Sequence, residues 1–355
     1  MVRVTGNFQS ETALNSLAAQ ALSAALESGW ADPKKIGQVS SKAANLRNSA
    51  IESLATNLGV KPDQIEITGE VGLGYFLALG GLLSKDRKLF YGAGDRSGVI
   101  ATSRSHLGSA EIIPLSPIGQ LDFSKIEIAK NSVLSFQLAN GETGSLNHLP
   151  TNLPEDLLIA VDATASGNRT PLPSKWSSAV FDSRTWEGPS GLAIVAISDA
   201  ANWKNPLPHI SAVRRTYGTF SLPLLIASAV ALENFAPDDQ NIKTLTTKLR
   251  SEILREIPSA IIAGDLNQSL PHLTSFVFPG CNGEELLRGL EMRGLAVDSG
   301  SACTAMNLQP SHVLAAMGIE TDGNIRVTLH AETTADEVDL LITALVDEVQ
   351  SQLRR

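Results

Sequence analysis

Cys303 is the residue of this chain whose setting most favours chemistry. It lies in Ser299-Gly300-Ser301-Ala302-Cys303-Thr304, and Gln309-Pro310-Ser311-His312-Val313-Leu314 follows. A Gly/Ser/Ala run leaves a thiol mobile and reachable, and Pro310-Ser311 marks the start of the next helix and hence the end of the loop. Cys281, between Pro279-Gly280 and Asn282-Gly283, reads as a turn residue. Two cysteines are too few for a disulfide framework, and with six scattered histidines they make no metal-ligand pattern. Ser299 and His312 do not amount to a serine hydrolase, because no G-x-S-x-G surrounds a serine. The glycines near Gly72 and Gly74 lack G-x-G-x-x-G spacing, and the four tryptophans and three tyrosines form no base-stacking cluster.

Three further segments carry residues with chemical potential. Asp162 ends an apolar run in Val161-Asp162-Ala163-Thr164, and Arg326 sits inside Ile325-Arg326-Val327-Thr328-Leu329. The third is Arg184-Thr185-Trp186-Glu187-Gly188-Pro189-Ser190-Gly191, and residues 176–203 contain no lysine.

The elements that position these residues alternate between short apolar strands and helices. Residues 11–28 and 41–57 read as amphipathic helices broken by Ala31-Asp32-Pro33. Strands are expected at Ile65–Ile67, Lys88–Tyr91, Glu111–Leu115, Ser132–Phe136, Leu157–Val161, Ala179–Phe181 and Gly191–Ile197, with a helical stretch from Tyr75 to Leu83. Such alternation predicts a mostly parallel sheet covered on both faces. An apolar helix from Ser221 to Asn234 leads to Ala236-Pro237-Asp238-Asp239, read as a boundary between a large α/β domain (1–236) and a smaller α+β domain (237–355). The second domain is expected to hold helix 240–256, strand Thr274–Phe278, helix Glu284–Arg293, strand Leu295–Val297, the Cys303 loop, strand Ile325–Leu329 and helix Ala335–Leu353.

Length and charge bound the function. A chain of 355 residues suits one large and one smaller domain, and 43% hydrophobic with 18% charged residues is ordinary for a soluble globular protein. A net charge of -9 opposes attraction to nucleic acid or anionic membranes. No charged start followed by an apolar run opens the chain, and no apolar segment is long enough to span a bilayer. A cytoplasmic location is therefore expected.

The stretch from Gly294 to Ile319, with Asn324 to Leu341 after it, resembles the active-site region of the cysteine desulfurases. These are pyridoxal-phosphate (PLP) enzymes of the class V aminotransferase family. The resemblance implies PLP fold type I: a large domain with a mostly parallel seven-stranded sheet and a small C-terminal α+β domain, assembled as a homodimer. It implies that Cys303 becomes a persulfide on a loop of the longer group, which delivers sulfur to acceptor proteins. It assigns Arg326 to the substrate carboxylate, Asp162 to the pyridine nitrogen of PLP, and Thr164 to the same cofactor segment. Asn140-Gly141-Glu142-Thr143-Gly144 matches part of a further site loop, which makes Asn140 a substrate-binding candidate.

The match fails at several PLP contacts. Thr185 stands at the position of the lysine that forms the imine, and a hydroxyl cannot replace that amine. Ala165 replaces a ring-contacting glutamine, Arg96 stands where a stacking histidine is expected, and Glu70 falls in the phosphate cradle, Gly69-Glu70-Val71-Gly72. Arg96 and Arg184 would suit a different anion in the vacated pocket. Three readings follow. One is a desulfurase in the broad sense, serving iron-sulfur clusters or tRNA thiolation. Another is a PLP-free sulfur relay through Cys303, between a donor and an acceptor protein. The last is a binding or regulatory pseudoenzyme paired with an active paralogue or a sulfur acceptor.

Overall fold

The computed structural model describes residues 6–28, 31–207, 221–236, 240–300 and 310–355. Seven strands form the main sheet: β2 (Ile65–Thr68), β3 (Lys88–Gly92), β4 (Ala110–Ile113), β5 (Ser132–Gln137), β6 (Leu158–Asp162), β7 (Ser178–Asp182) and β8 (Ala193–Ile197). Their order is β2-β8-β7-β6-β5-β3-β4, and β8 runs antiparallel to both of its neighbours while the other pairs are parallel.

Every residue of β5 to β8 is buried, as a sheet covered on both faces requires. Strand alternation divides the core in two. Leu134, Phe136, Ile159, Val161 and Phe181 pack with α1 (Ser16–Ser28), α2 (Gln38–Leu58) and α5 (Leu222–Glu233). Val133, Leu158, Ala160, Val180 and Val195 face the other way, toward α3 (Val71–Gly80) and α4 (Ser97–Arg104). Seven expected strands are thus seven observed ones, and the chain has PLP fold type I. β4 stops at Ile113 rather than Leu115 because Pro114 has no amide to extend the ladder.

A second core is built from α6 (Gln240–Glu256), α7 (Gly283–Met292) and α9 (Ala335–Leu353) against the antiparallel strands β9 (Ile261–Ala263), β10 (Leu273–Val277) and β12 (Asn324–Thr328). Phe8, on the short strand β1 (Gly6–Phe8), joins this core, because β1 pairs in parallel with β11 (Leu295–Val297). A short helix, α8 (His312–Met317), packs with Ala263 and Val277.

Helix starts follow their caps. Asn15 Oδ1 accepts from Leu17 N and Ala18 N, so α1 begins at Ser16 rather than at residue 11. Glu70 caps α3, which starts at Val71, four residues before the expected Tyr75. Among the described residues no helix is long and apolar enough to cross a membrane.

Candidate functional site

A cavity of ≈ 430 Å³ opens between the C-terminal ends of β6 and β7 and the strands β10 and β12. On the large-sheet side, Asp162 ends β6 and is 4% exposed. Its Oδ1 accepts from Thr164 N at 2.8 Å and from Thr164 Oγ1 at 2.7 Å. The Thr164 proton is thereby committed, so the Tyr75 hydroxyl is the donor in its 2.6 Å bond to Thr164 Oγ1. Burial, and then the Asp162 charge, push the Tyr75 phenol up, which keeps it a protonated donor. Gln137 Nε2 approaches Asp162 Oδ2 at 3.5 Å. The carboxylate expected to meet a pyridine nitrogen therefore anchors a relay of hydroxyls, with Tyr75 and Thr164 at the cavity wall.

The end of β7 turns through a single 3₁₀ turn, Ser183–Trp186. Asp182 Oδ1 accepts from Arg184 N, and the Arg184 guanidinium folds back on the carboxylate with Nη2 at 2.7 Å. Thr185 Oγ1 donates to Asp182 O at 2.7 Å, while Arg169 Nη1 donates to Thr185 O at 2.7 Å. Glu187 has φ 58, and a Cβ at Gly188 would lie 2.1 Å from Ser183 Oγ and 2.8 Å from Ser183 O, so only glycine closes this turn. Thr185 lines the cavity, and no described lining residue is a lysine. The segments outside the described residues contain none either.

The N-terminus of α3, where an anion would meet free backbone amides, is engaged. Glu70 accepts from Gly72 N at 2.7 Å and Leu73 N at 2.6 Å. Arg96, just before α4, lines the cavity, and its Nε is buried with no partner among the described residues. The guanidinium lies on the backbone of Gly141, where an added Cβ would meet Nη2 at 2.1 Å.

On the opposite wall Arg326, 11% exposed at its side chain, is already paired. Nη2 donates to Asp298 Oδ2 at 3.1 Å and Nη1 to Gly141 O at 3.4 Å. Asp298 Oδ2 also accepts from Ser10 N at 2.7 Å. Asn140 does not line the cavity. Its Nδ2 donates to Gly94 O and Gln137 Oε1, and its Oδ1 accepts from Glu142 N and Thr143 N, so the side chain shapes the Gly141 turn. Burial holds His272 well below the usual imidazole range, aided by Arg169 and His330, and lowers His330 as well. Both rings are neutral in the folded protein near neutral pH.

Cys303 lies outside the described residues. The chain just before it is anchored: Ser299 is buried, and Gly300 N donates to Asn324 Oδ1 at 2.6 Å. A Cβ at Gly300 would lie 2.1 Å from Glu142 Oε1, so a larger residue there would have to displace the Glu142 carboxylate. Beyond it, Ser311 Oγ accepts from Leu314 N and caps α8. Cys281, the turn residue, is 3% exposed. Tyr75, on the cavity wall, and Asp298, which holds Arg326 from behind it, are the residues that sequence reasoning missed. Neither carries a motif signal, because Asp298 matters through a partner 28 residues away and Tyr75 through one 89 away.

The fold and this cleft define a PLP-type α/β protein. Solved structures agree: a NifS-like protein superposes with a TM-score of 0.85 at 21% identity, covering 98% of this chain and 99% of that one. The apo cysteine desulfurase from Thermococcus onnurineus gives 0.81 at 17% identity, covering 98% and 95%. The profile of the aminotransferase class-V family matches residues 105–341, and the chain belongs to that family. Among curated relatives, the cysteine desulfurase NifS of Azotobacter vinelandii is 30% identical over 261 residues, 68% of this chain and 64% of that protein. A cysteine desulfurase of Nostoc sp. is 29% identical over 253 residues, 65% of this chain and 62% of its own. The aligned stretch thus spans slightly less than two thirds of these relatives.

Proposed function

We propose that this chain is a sulfur-transfer protein of desulfurase ancestry that works without PLP, with Cys303 as the persulfide carrier. The observation that carries the reading is the cavity wall itself. At the imine position Thr185 turns its hydroxyl onto Asp182 O, and no lysine lines the cavity. The phosphate grip expected of a PLP site is filled by the chain's own Glu70 on the helix amides, and Oδ1 of Asp162 is engaged by the Thr164 amide and hydroxyl. These residues do not fit PLP.

Sulfur relay needs only a thiolate and a donor. Cys303 loses its proton to solvent, and the thiolate attacks the outer sulfur of a donor persulfide. The donor sulfur–sulfur bond breaks, its electron pair leaves on the donor thiolate, and Cys303 holds the new persulfide. Sulfur moves from one thiol to another without net oxidation. The names of the relatives, cysteine desulfurases, support a place in sulfur mobilisation, and a homodimer in the cytoplasm is part of the same proposal.

The test is incubation with a small-molecule persulfide without PLP, followed by alkylation and peptide mass spectrometry. The reading expects one added sulfur on the Cys303 peptide, none on buried Cys281 and none in Cys303→Ser. Sulfur on neither cysteine would favour the binding or regulatory reading, in which Cys303→Ala leaves partner binding intact.

A further inference from the structure

The cavity collects polar atoms that the folded chain leaves without partners. Arg96 Nε, His272 Nδ1, Arg326 Nε and Thr328 Oγ1 are buried, have no hydrogen-bond partner among the described residues, and belong to residues lining this one cavity. Buried polar groups left unsatisfied cost stability unless something else meets them, and four around one void point to a ligand with acceptors.

The four atoms fall on two walls. Arg96 belongs to the large-sheet side. Arg326 and Thr328 are two residues apart on β12 and so share one face, and His272 precedes Leu273, which pairs with Thr328 in register. Arg96 and Arg326 meet at Gly141, one guanidinium lying on its backbone and the other donating to its carbonyl. A ligand joining the two poles is therefore short. Beside the β12 pole the lining includes the apolar Leu273 and Leu329, which suit a carbon chain.

Charge favours an anion. Among the described residues four arginines line the cavity with two carboxylates, Asp182 and Glu187, in a chain whose net charge is -9; Arg184 pairs with Asp182 and Arg326 with Asp298, while no carboxylate among the described residues pairs with Arg96. Asp182 is bound to Arg184 and Asp162 to Thr164, so neither gives Arg96 a direct bond. A phosphate would want the helix amides that Glu70 holds. What remains open is guanidinium edges, whose planar donors match a carboxylate.

We propose that the cavity binds a small dicarboxylate, one carboxylate on Arg96 and the other at the Arg326–Thr328–His272 wall. This rests on the reading that PLP does not occupy the cavity. A PLP adduct in the absorbance spectrum would defeat that reading, whereas failure of a dicarboxylate to bind a colourless protein defeats this inference alone.

The experiment is isothermal titration calorimetry on the full chain at constant ionic strength, with succinate, acetate and inorganic phosphate as probes. Succinate is expected to bind at one site roughly tenfold or more tighter than acetate or phosphate, since it alone meets both poles. Arg96→Gln is expected to weaken succinate by about tenfold or more and Thr328→Val by a few-fold, both with acetate nearly unchanged. Thr328→Val, close to isosteric, decides the matter if Arg96→Gln does not fold. Equal binding of succinate and acetate, tighter binding of phosphate, or succinate affinity unaltered in a folded variant would overturn the proposal.

Discussion

Exchanging Glu70 for glycine separates two roles of one helix terminus. In the native chain the carboxylate holds Gly72 N at 2.7 Å and Leu73 N at 2.6 Å, so a phosphate finds both the amides occupied and a like charge beside them. Unit charges about 4 Å apart repel by about 4 kcal/mol at an effective dielectric near 20 and by about 1 kcal/mol in bulk water. Glu70 is exposed, which places the repulsion toward the lower figure, about 1 to 2 kcal/mol. Charge-assisted bonds to the freed amides add about 1.5 to 3 kcal/mol. Together the substitution is expected to tighten inorganic phosphate binding by about a hundredfold to a few thousandfold. The fold loses little, because glycine in place of a capping side chain costs a few tenths of a kcal/mol and the lost charge–dipole term about 0.3 to 1 kcal/mol. The corresponding fall in Tm is about 1 to 2 °C. Phosphorus NMR titrations of the native chain, Glu70→Gly and Glu70→Gln, with Tm measured in parallel, test both parts. The neutral, still capping glutamine should fall between the other two. Phosphate binding to Glu70→Gly as weak as to the native chain would refute the reasoning, because the carboxylate would then not be what closes the site.

Thr185→Lys alone is expected to stay colourless with added PLP and to give no borohydride-reducible adduct, since Glu70 still holds the helix amides of the phosphate cradle and Ala165 still replaces the ring-contacting glutamine; a strong imine band would contradict this. Asp298→Asn breaks a largely buried pair with Arg326 and should destabilise the protein by about 1 to 3 kcal/mol in denaturant unfolding, while acetate gains affinity for the released guanidinium. An unchanged midpoint together with unchanged acetate binding would show that the pair holds nothing in place. Buried groups shift stability against pH in opposed directions. Burial raises Asp95 from 3.8 to about 7, against the opposing bonds from Gly92 N and Ser135 Oγ. Its contribution is present below pH 3.8 and is lost as the pH rises toward 7. His272 is depressed from 6.5, so its contribution is present above that pH and is lost as the pH falls. Asp95→Asn removes the first slope, and Tm should then climb more steeply with pH between 3.8 and 6.5 than in the native chain. Superimposable profiles would show that Asp95 does not hold its proton in the fold.

The sheet was legible because each of its strands is a short apolar run between turn residues, and burial on both faces leaves little else for such runs to do. Elements set by tertiary pairing were not. β1 and β9 have three residues each and exist through their partners, and Ser97–Arg104 mixes polar and β-branched residues without a clear helical period. The start of α3 was misplaced because glutamate is not among the preferred capping residues, yet its two amide bonds define the terminus. Within the site, Thr185, Arg96 and Thr164 were legible from motif position, and the structure places all three on the cavity. Asn140 carried the same motif signal but spends its polar atoms on the Gly141 turn. The Asp298–Arg326 pair and the Tyr75–Thr164–Asp162 relay depend on contacts between distant segments, which no local pattern encodes.

The most direct test of a PLP-free site is an absorbance spectrum of the purified protein with and without added PLP, followed by borohydride reduction and peptide mass spectrometry. The account predicts no yellow protein-bound chromophore and no reduced adduct on any lysine. A reducible chromophore mapped to a lysine would contradict it and return the chain to the PLP-dependent desulfurases.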